Sequence, residues 1–193
     1  MADFLVVGLG NRGKEYRDTR HNFGFLAVDE LARKMDVPFC RLSSLEAEVA
    51  VGELDSRSVA LVKPLTYMNL SGRAVAVLAK FYQLRGPAQI IIIHDDLDIP
   101  LGKIKIKSGG GSGGHKGVQS VIESLGTNEF LRIRLGIGLE ERPIDVIDYV
   151  LTPFAPEEQD ARQRVVAEAA NAVQMIIQDG LEKTMNFFHS RDN

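Results

Sequence analysis

Four consecutive isoleucines, Ile90 to Ile93, stand between Gln89 and His94. A strand turns successive side chains to opposite faces, so an unbroken β-branched run leaves no side for solvent. Such a strand belongs at the centre of a sheet covered on both faces, which calls for helices above and below it. The rest of the chain supplies them. Phe4 to Val7 reads as another buried strand, and Phe23 to Met35 carries Phe25, Val28, Leu31, Ala32 and Met35 at helical spacing. Glu48 to Leu54 and Ser58 to Val62 read as a hairpin turning at Asp55-Ser56-Arg57. Ser71 is placed to cap a helix running to Tyr82. Further strands are expected at Lys103 to Lys107 and Leu131 to Ile137, with a helix from Gly117 to Leu125 between them. A helix begins at Pro156, shows Val165, Val166, Ala169, Val173 and Ile176 along one stripe, and stops at Gly180 before a short helix through Phe188. No linker or repeat divides the chain. The pattern predicts one domain over residues 1–193, a three-layer α/β/α sandwich around a mixed, mostly parallel twisted sheet.

Composition narrows the setting. Uncharged apolar runs such as that of the isoleucines are far too short to cross a bilayer, so no membrane partner is expected. The N-terminus enters strand-like residues directly, without the pattern of a secretory signal, and the expected location is the cytoplasm. The lone Cys40 excludes an internal disulfide and a multi-cysteine metal site, and beside Pro38 and Phe39 it reads as a packed hydrophobe. A net charge of −3 argues against a wholly basic nucleic-acid binder. The basic residues are unevenly placed, however. Lys103-Ile104-Lys105-Ile106-Lys107 puts its lysines on one strand face, and Arg132-Ile133-Arg134 repeats the pattern. Either alone would be a solvated strand face. Bracketing a glycine-rich loop, together they favour a local phosphate site.

The chemistry concentrates in GLGNRGKEYRDTRHNFG, residues 8 to 24. It places Asn11, Tyr16, His21 and Asn22 on one connection leaving the first strand. Histidine suits proton abstraction near neutral pH. Asp95 and Asp96 follow the isoleucine strand, at the carboxyl end where ligands gather in open α/β sheets. If the two strands are neighbours, a carboxylate there would accept an imidazole N–H and make the ring a better base. A solvated turn capped by Asp95 or Asp98 is the other reading.

Alternatives fit less well. Gly8, Gly10 and Gly13 match a dinucleotide fingerprint in form, but the loop does not open on a helix, and the acids at the right distance, Asp29 and Glu30, lie inside one. The aspartates with His21, His94 and His115 would suit a metal, yet no H-x-x-x-H or H-E-x-x-H spacing occurs, so neither metal nor cofactor is expected. There is no G-x-S-x-G elbow for a serine nucleophile. The Gly109 to Gly114 run is pliable enough to move, and could bring backbone N–H groups close to a ligand.

Four segments, GLGNRGKEYRDTRHNFG, MNLSG, HDDLD and GGGSGGHKG, recur in order and at the spacing of the bacterial-type peptidyl-tRNA hydrolases, which the chain resembles over nearly its whole length. The resemblance implies hydrolysis of the ester between a peptide and the tRNA 3′ end, with peptidyl-tRNA as partner, its acceptor end and 3′ CCA bound by a monomer. It implies His21 as the general base and Asp95 as the acid that supports it. Asn11 would discriminate blocked from unblocked aminoacyl-tRNA. Tyr16, Tyr67 and Asn69 would contact the peptide and acceptor end, and Lys107 and Arg134 would grip the terminal phosphate. Two positions depart from the family: Lys116 replaces the usual asparagine, and Arg12 the usual proline. Lysine keeps a donor, loses the acceptor and adds charge. Noncatalytic RNA-binding relatives make an inactive homologue the alternative, against which the retained His21, Asp95, Asn11 and Asn69 argue.

Overall fold

The isoleucine strand does lie between strands and under helices on both sides. The computed structural model describes residues 1–139 and 143–190; residues 140–142 and 191–193 of the expected domain lie outside the described part. The strands are β1 (Phe4–Gly8), β2 (Cys40–Leu42), β3 (Ala47–Leu54), β4 (Arg57–Pro64), β5 (Ile90–Pro100), β6 (Ile104–Ser108) and β7 (Leu131–Gly138). The helices are α1 (Phe23–Met35), α2 (Ser71–Phe81), α3 (Lys116–Leu125), α4 (Val146–Val150), α5 (Gln159–Asp179) and α6 (Leu181–His189). The sheet runs β2-β3-β4-β1-β5-β7-β6, with β4, β1, β5 and β7 mutually parallel and antiparallel pairs at both edges.

Alternation along β5 divides the isoleucines between two cores. Ile91 and Ile93 pack with Val28 and Leu31 of α1, Val165 and Val173 of α5, and Phe188 of α6. Ile90 and Ile92 pack on the other face with Val75 and Leu78 of α2 and Val118 and Val121 of α3. This is the expected three-layer single-domain sandwich, and each of these side chains is nearly or fully buried.

One close approach fixes the working end of the sheet. A Cβ on Gly24 would stand 2.3 Å from the Ile93 carbonyl oxygen, and one on Gly8 2.1 Å from the Gly24 carbonyl oxygen. Only glycines let the first turn of α1 press against the ends of β1 and β5. The glycines of the apparent dinucleotide fingerprint thus include one that serves helix packing.

Several local expectations need correction. β5 runs on to Pro100, so Asp95 and Asp96 are strand residues, not turn residues. β7 continues to pair with them, at Asp95↔Leu135 and Asp96↔Gly136, and tertiary pairing overrides the low strand preference of aspartate. Cys40 is exposed on the edge strand β2 and is not a packed hydrophobe. β6 begins after Lys103, leaving Lys105 and Lys107 as its lysine face. Ser71 is the first residue of α2 and makes no side-chain cap; its hydroxyl is buried without a partner among the described residues. Helix α5 is preceded by a 3₁₀ turn at Pro156–Glu158, and α4 was not anticipated. The hairpin turns at Asp55 and Ser56, both with positive φ (49° and 60°), as a two-residue primed turn requires.

Candidate active site

The connection leaving β1 is tied to itself before it reaches His21. The Asn11 backbone N–H donates to Asn22 Oδ1 at 2.8 Å, and Asn22 Nδ2 donates back to the Asn11 carbonyl at 2.9 Å. Asn22, whose part the sequence did not reveal, is therefore the lock of this loop. Its neighbour Arg20 fastens the loop to the C-terminal third. The guanidinium donates to the carbonyls of Thr152 (3.1 Å) and Pro153 (2.8 Å), pairs with Glu158 at 2.6 Å, and stacks on Tyr149 at 4.3 Å. His21 is held between these two anchors.

Its ring meets Asp95 of the adjacent strand. His21 Nδ1 lies 3.0 Å from Asp95 Oδ2 and 3.1 Å from Oδ1, while His115 Nε2 lies 3.0 Å from Oδ1. Burial by itself would raise the Asp95 carboxyl, but the two rings outweigh it and hold the group well below the usual carboxylate range. An ionised carboxylate only accepts, so the proton of each facing nitrogen is fixed. His21 carries its proton on Nδ1 and keeps a lone pair on Nε2. Burial pulls the His21 pKa down, the charge and hydrogen bond of Asp95 more than offset it, and the net shift is upward; Lys116 opposes that rise.

His115 is fixed from both sides. Its Nδ1 accepts the N–H groups of Gly117 (3.2 Å) and Val118 (3.3 Å), capping α3, so its Nε2 must be the donor to Asp95. This bears on whether the cluster fits a metal. His21, Asp95 and His115 form a group with ligand atoms within 4.8 Å of one another. A metal on His115 Nε2 would need the ring's proton on Nδ1, pointing at two backbone N–H donors, where a ligating histidine needs an acceptor. The donor set suits protons and does not suit a metal ion. His94 is not a ligand either. It is fully buried and pushed down to about 3, by burial first and then by His115, and its Nδ1–H donates to the Asp95 carbonyl at 2.7 Å.

These groups open on a cleft of about 400 Å³. Of the residues singled out in the sequence, Asn11, His21, Tyr67, Asn69, Asp95 and Lys116 line it. Val146, Ile147, Val150 and Leu151, from α4 and its end, form an apolar wall that the sequence did not reveal. Asn11 Oδ1 accepts the Met68 N–H at 2.9 Å, which leaves the amide NH₂ without a partner among the described residues. Arg12, the second departure, lies 5.5 Å over the exposed Tyr67 ring. Tyr16, Lys107 and Arg134 are outside the cleft. Arg134 Nε donates to Asp96 Oδ2 at 2.8 Å, and Asp96 is a cleft residue. In the β6–β7 pairing Lys105 stands opposite Arg134 and Lys107 opposite Arg132, so one basic strip leads away from the cleft along one sheet face.

A family model described as peptidyl-tRNA hydrolase matches residues 5–193. A peptidyl-tRNA hydrolase of Thermodesulfovibrio yellowstonii is 47% identical, with 96% of this chain and 98% of the relative aligned. One of Citrifermentans bemidjiense is 46% identical over 99% of this chain and 100% of its own length. The crystal structure of the Acinetobacter baumannii peptidyl-tRNA hydrolase superposes with a TM-score of 0.88 at 36% identity, covering 96% of this chain and 94% of that one.

Proposed function

This chain belongs to the peptidyl-tRNA hydrolase family, and from that premise we propose how its cleft divides the work. The enzyme hydrolyses the ester bond between the peptide and the tRNA 3′ end, releasing free tRNA and peptide. His21 Nε2 takes a proton from water, the oxygen attacks the ester carbonyl, and the ester C–O bond breaks with the proton passing to the ribose oxygen. Asp95 keeps the His21 proton on Nδ1 and offsets the imidazolium that forms. Asn69, or backbone N–H groups of the glycine loop, face the oxygen that becomes negative. What carries this assignment is the 3.0 Å contact between His21 Nδ1 and a buried, ionised Asp95 at the floor of the cleft. The deciding experiment is hydrolysis of an N-acetylated aminoacyl-tRNA by the parent and by His21→Ala.

Asn11 is the selectivity group in this proposal. Its free NH₂ donates to the acyl carbonyl of a blocked substrate, where an unblocked one brings an ammonium that must shed water. Asn11→Ala should lower the kcat/KM preference for N-acetylated over free aminoacyl-tRNA by about tenfold, the worth of one hydrogen bond. An unchanged ratio removes Asn11 from this role.

The acceptor end and 3′ CCA lie across the cleft, with Lys107 and Arg134 on the terminal phosphate and Tyr67 against the peptide or a base. Tyr16 stands farther out, as a contact to the tRNA. The working unit in this proposal is a monomer, and its work belongs to translation in the cytoplasm. Among the described residues no helix is long and apolar enough to cross a membrane.

Lys116 reaches a tRNA phosphate from the cleft rim. Lys116→Asn should therefore flatten the log–log salt dependence of tRNA binding by about 0.7 to 0.9. It should also move the acid limb of the pH–rate profile upward, because it removes a cation that opposes protonation of His21, and the base works only when neutral. A salt slope equal to the parent's puts Lys116 in solvent.

A further inference from the structure

Arg132 is buried to 1% exposure on β7, and nothing in the reaction described above uses it. Its Nη1 donates to the Gly111 carbonyl at 2.7 Å, and its Nη2 donates to the Gly110 carbonyl. The guanidinium lies 4.8 Å from the Phe130 ring centroid, and Nε has no hydrogen-bond partner among the described residues. No described carboxylate pairs with it. An arginine cannot shed its proton to escape burial. Among the described residues its hydrogen-bond acceptors are two carbonyls, both of the glycine loop, while the more distant charge of Glu129 also favours its ionised form.

The loop is divided accordingly. Gly109 and Gly110 take left-handed φ values of 70° and 88°, and a Cβ on Gly110 would stand 2.9 Å from Lys107 Nζ. This half lies against β7, with the Gly109 N–H donating to the Phe130 carbonyl at 3.3 Å. Gly113 and Gly114 are left-handed too, at 61° and 82°, but nothing lies within 4 Å of a Cβ built there. The open half ends at His115, the residue that caps α3 and donates to Asp95.

We infer that Arg132 is a positioning residue for the hydrolysis: by holding the Gly110 and Gly111 carbonyls it fixes where the glycine loop begins its crossing, so that His115 reaches Asp95. His115 in turn holds the carboxylate that orients His21. The inference rests on the assignment of His21 and Asp95 as the reacting pair. Phosphate binding is a poor fit for Arg132 itself, because its two outer nitrogens are already committed and its side chain is covered.

The test uses the full chain, labelled with ¹⁵N. In the parent, backbone order parameters should be near about 0.85 at Gly110 and Gly111 and below about 0.6 at Gly113 and Gly114. The His115 Nε2–H should exchange slowly. Lysine is shorter in its reach for two acceptors and has no planar fork. Arg132→Lys should therefore lower the order at Gly110 and Gly111, speed exchange of the His115 Nε2–H, and reduce kcat about ten- to hundredfold with KM changed less than about twofold. A Lys107→Ala protein should instead raise KM and leave the His115 signal as in the parent. Equal mobility from Gly110 to Gly114 in the parent overturns the inference, whether or not the variant folds. So does an Arg132→Lys protein with unchanged kcat and His115 signal, or one whose KM rises and salt slope flattens, which would mark Arg132 as a phosphate ligand. If the parent proves inactive while the loop and the His115 signal still respond to Arg132→Lys, the anchor stands and the catalytic assignment falls.

Discussion

A His21→Ala protein is expected to fold like the parent, bind peptidyl-tRNA within a few-fold of it, and lose roughly 10²- to 10⁴-fold in turnover. The loss is large because no other ring can substitute. His115 has both nitrogens committed, Nε2–H to Asp95 and Nδ1 to the start of α3. His94 is fully buried, with its Nδ1 bound to a backbone carbonyl. Folding should survive because, among the described residues, the only hydrogen bonds of the His21 side chain go to Asp95, which keeps its bond to His115. Single-turnover hydrolysis with a filter-binding measurement on the same preparation separates the two effects. Full activity in a well-folded variant would end the assignment of His21 as base.

Asp95→Asn should cost a comparable factor, roughly 10²- to 10⁴-fold in kcat, by a different route. Asparagine offers one acceptor and one donor where the carboxylate offers acceptors to both rings. His115 is held as a donor by its cap on α3, so the asparagine oxygen goes to His115 and its NH₂ faces His21 Nδ1. That forces the His21 proton onto Nε2 and removes the lone pair the reaction needs. The pH profile gives an independent reading. In the parent, Asp95 overcomes the downward pull of burial and raises the His21 pKa above its ordinary value. Without the carboxylate, burial prevails and the pKa falls. The active base is the neutral ring, so the acid limb should move to lower pH even as the plateau drops. A limb that stays in place with a full plateau would show that the carboxylate neither orients nor charges the ring.

The sequence disclosed the parts of the fold that local pattern controls. The Phe23–Met35 periodicity matches α1 to the residue, and the isoleucine run matches an interior strand because full burial leaves so plain a mark. Where distant pairing decides, local pattern misled. His94-Asp95-Asp96 reads as the end of a strand, yet β7 pairs through it and two histidines from other elements satisfy the carboxylate. Cys40 and the edge strand β2 carry no periodic signal at their length, and α4 is a five-residue helix whose cap, Asp145, is indistinguishable in sequence from a turn residue. The cleft was legible as four motifs and not as distances. Glycines and amides marked the loops, whereas Asn22, Arg20 and Arg132 act through backbone carbonyls and amides, whose positions no side-chain pattern records.

Arg20 carries one more consequence, for the order in which the molecule is completed. It joins the loop holding His21 to Pro153 and Glu158, contacts that span 133 and 138 residues of chain. As the protein is synthesised from its N-terminus, β1 and its loop emerge early, and domains fold as units only when their distant partners are present. The loop is therefore made long before the segment that fastens it. Until residue 158 has left the ribosome, the nascent chain carries its histidine on an untethered connection with one wall of the cleft missing. Completion of the site is therefore expected to follow, not precede, synthesis of the segment that carries Pro153 and Glu158.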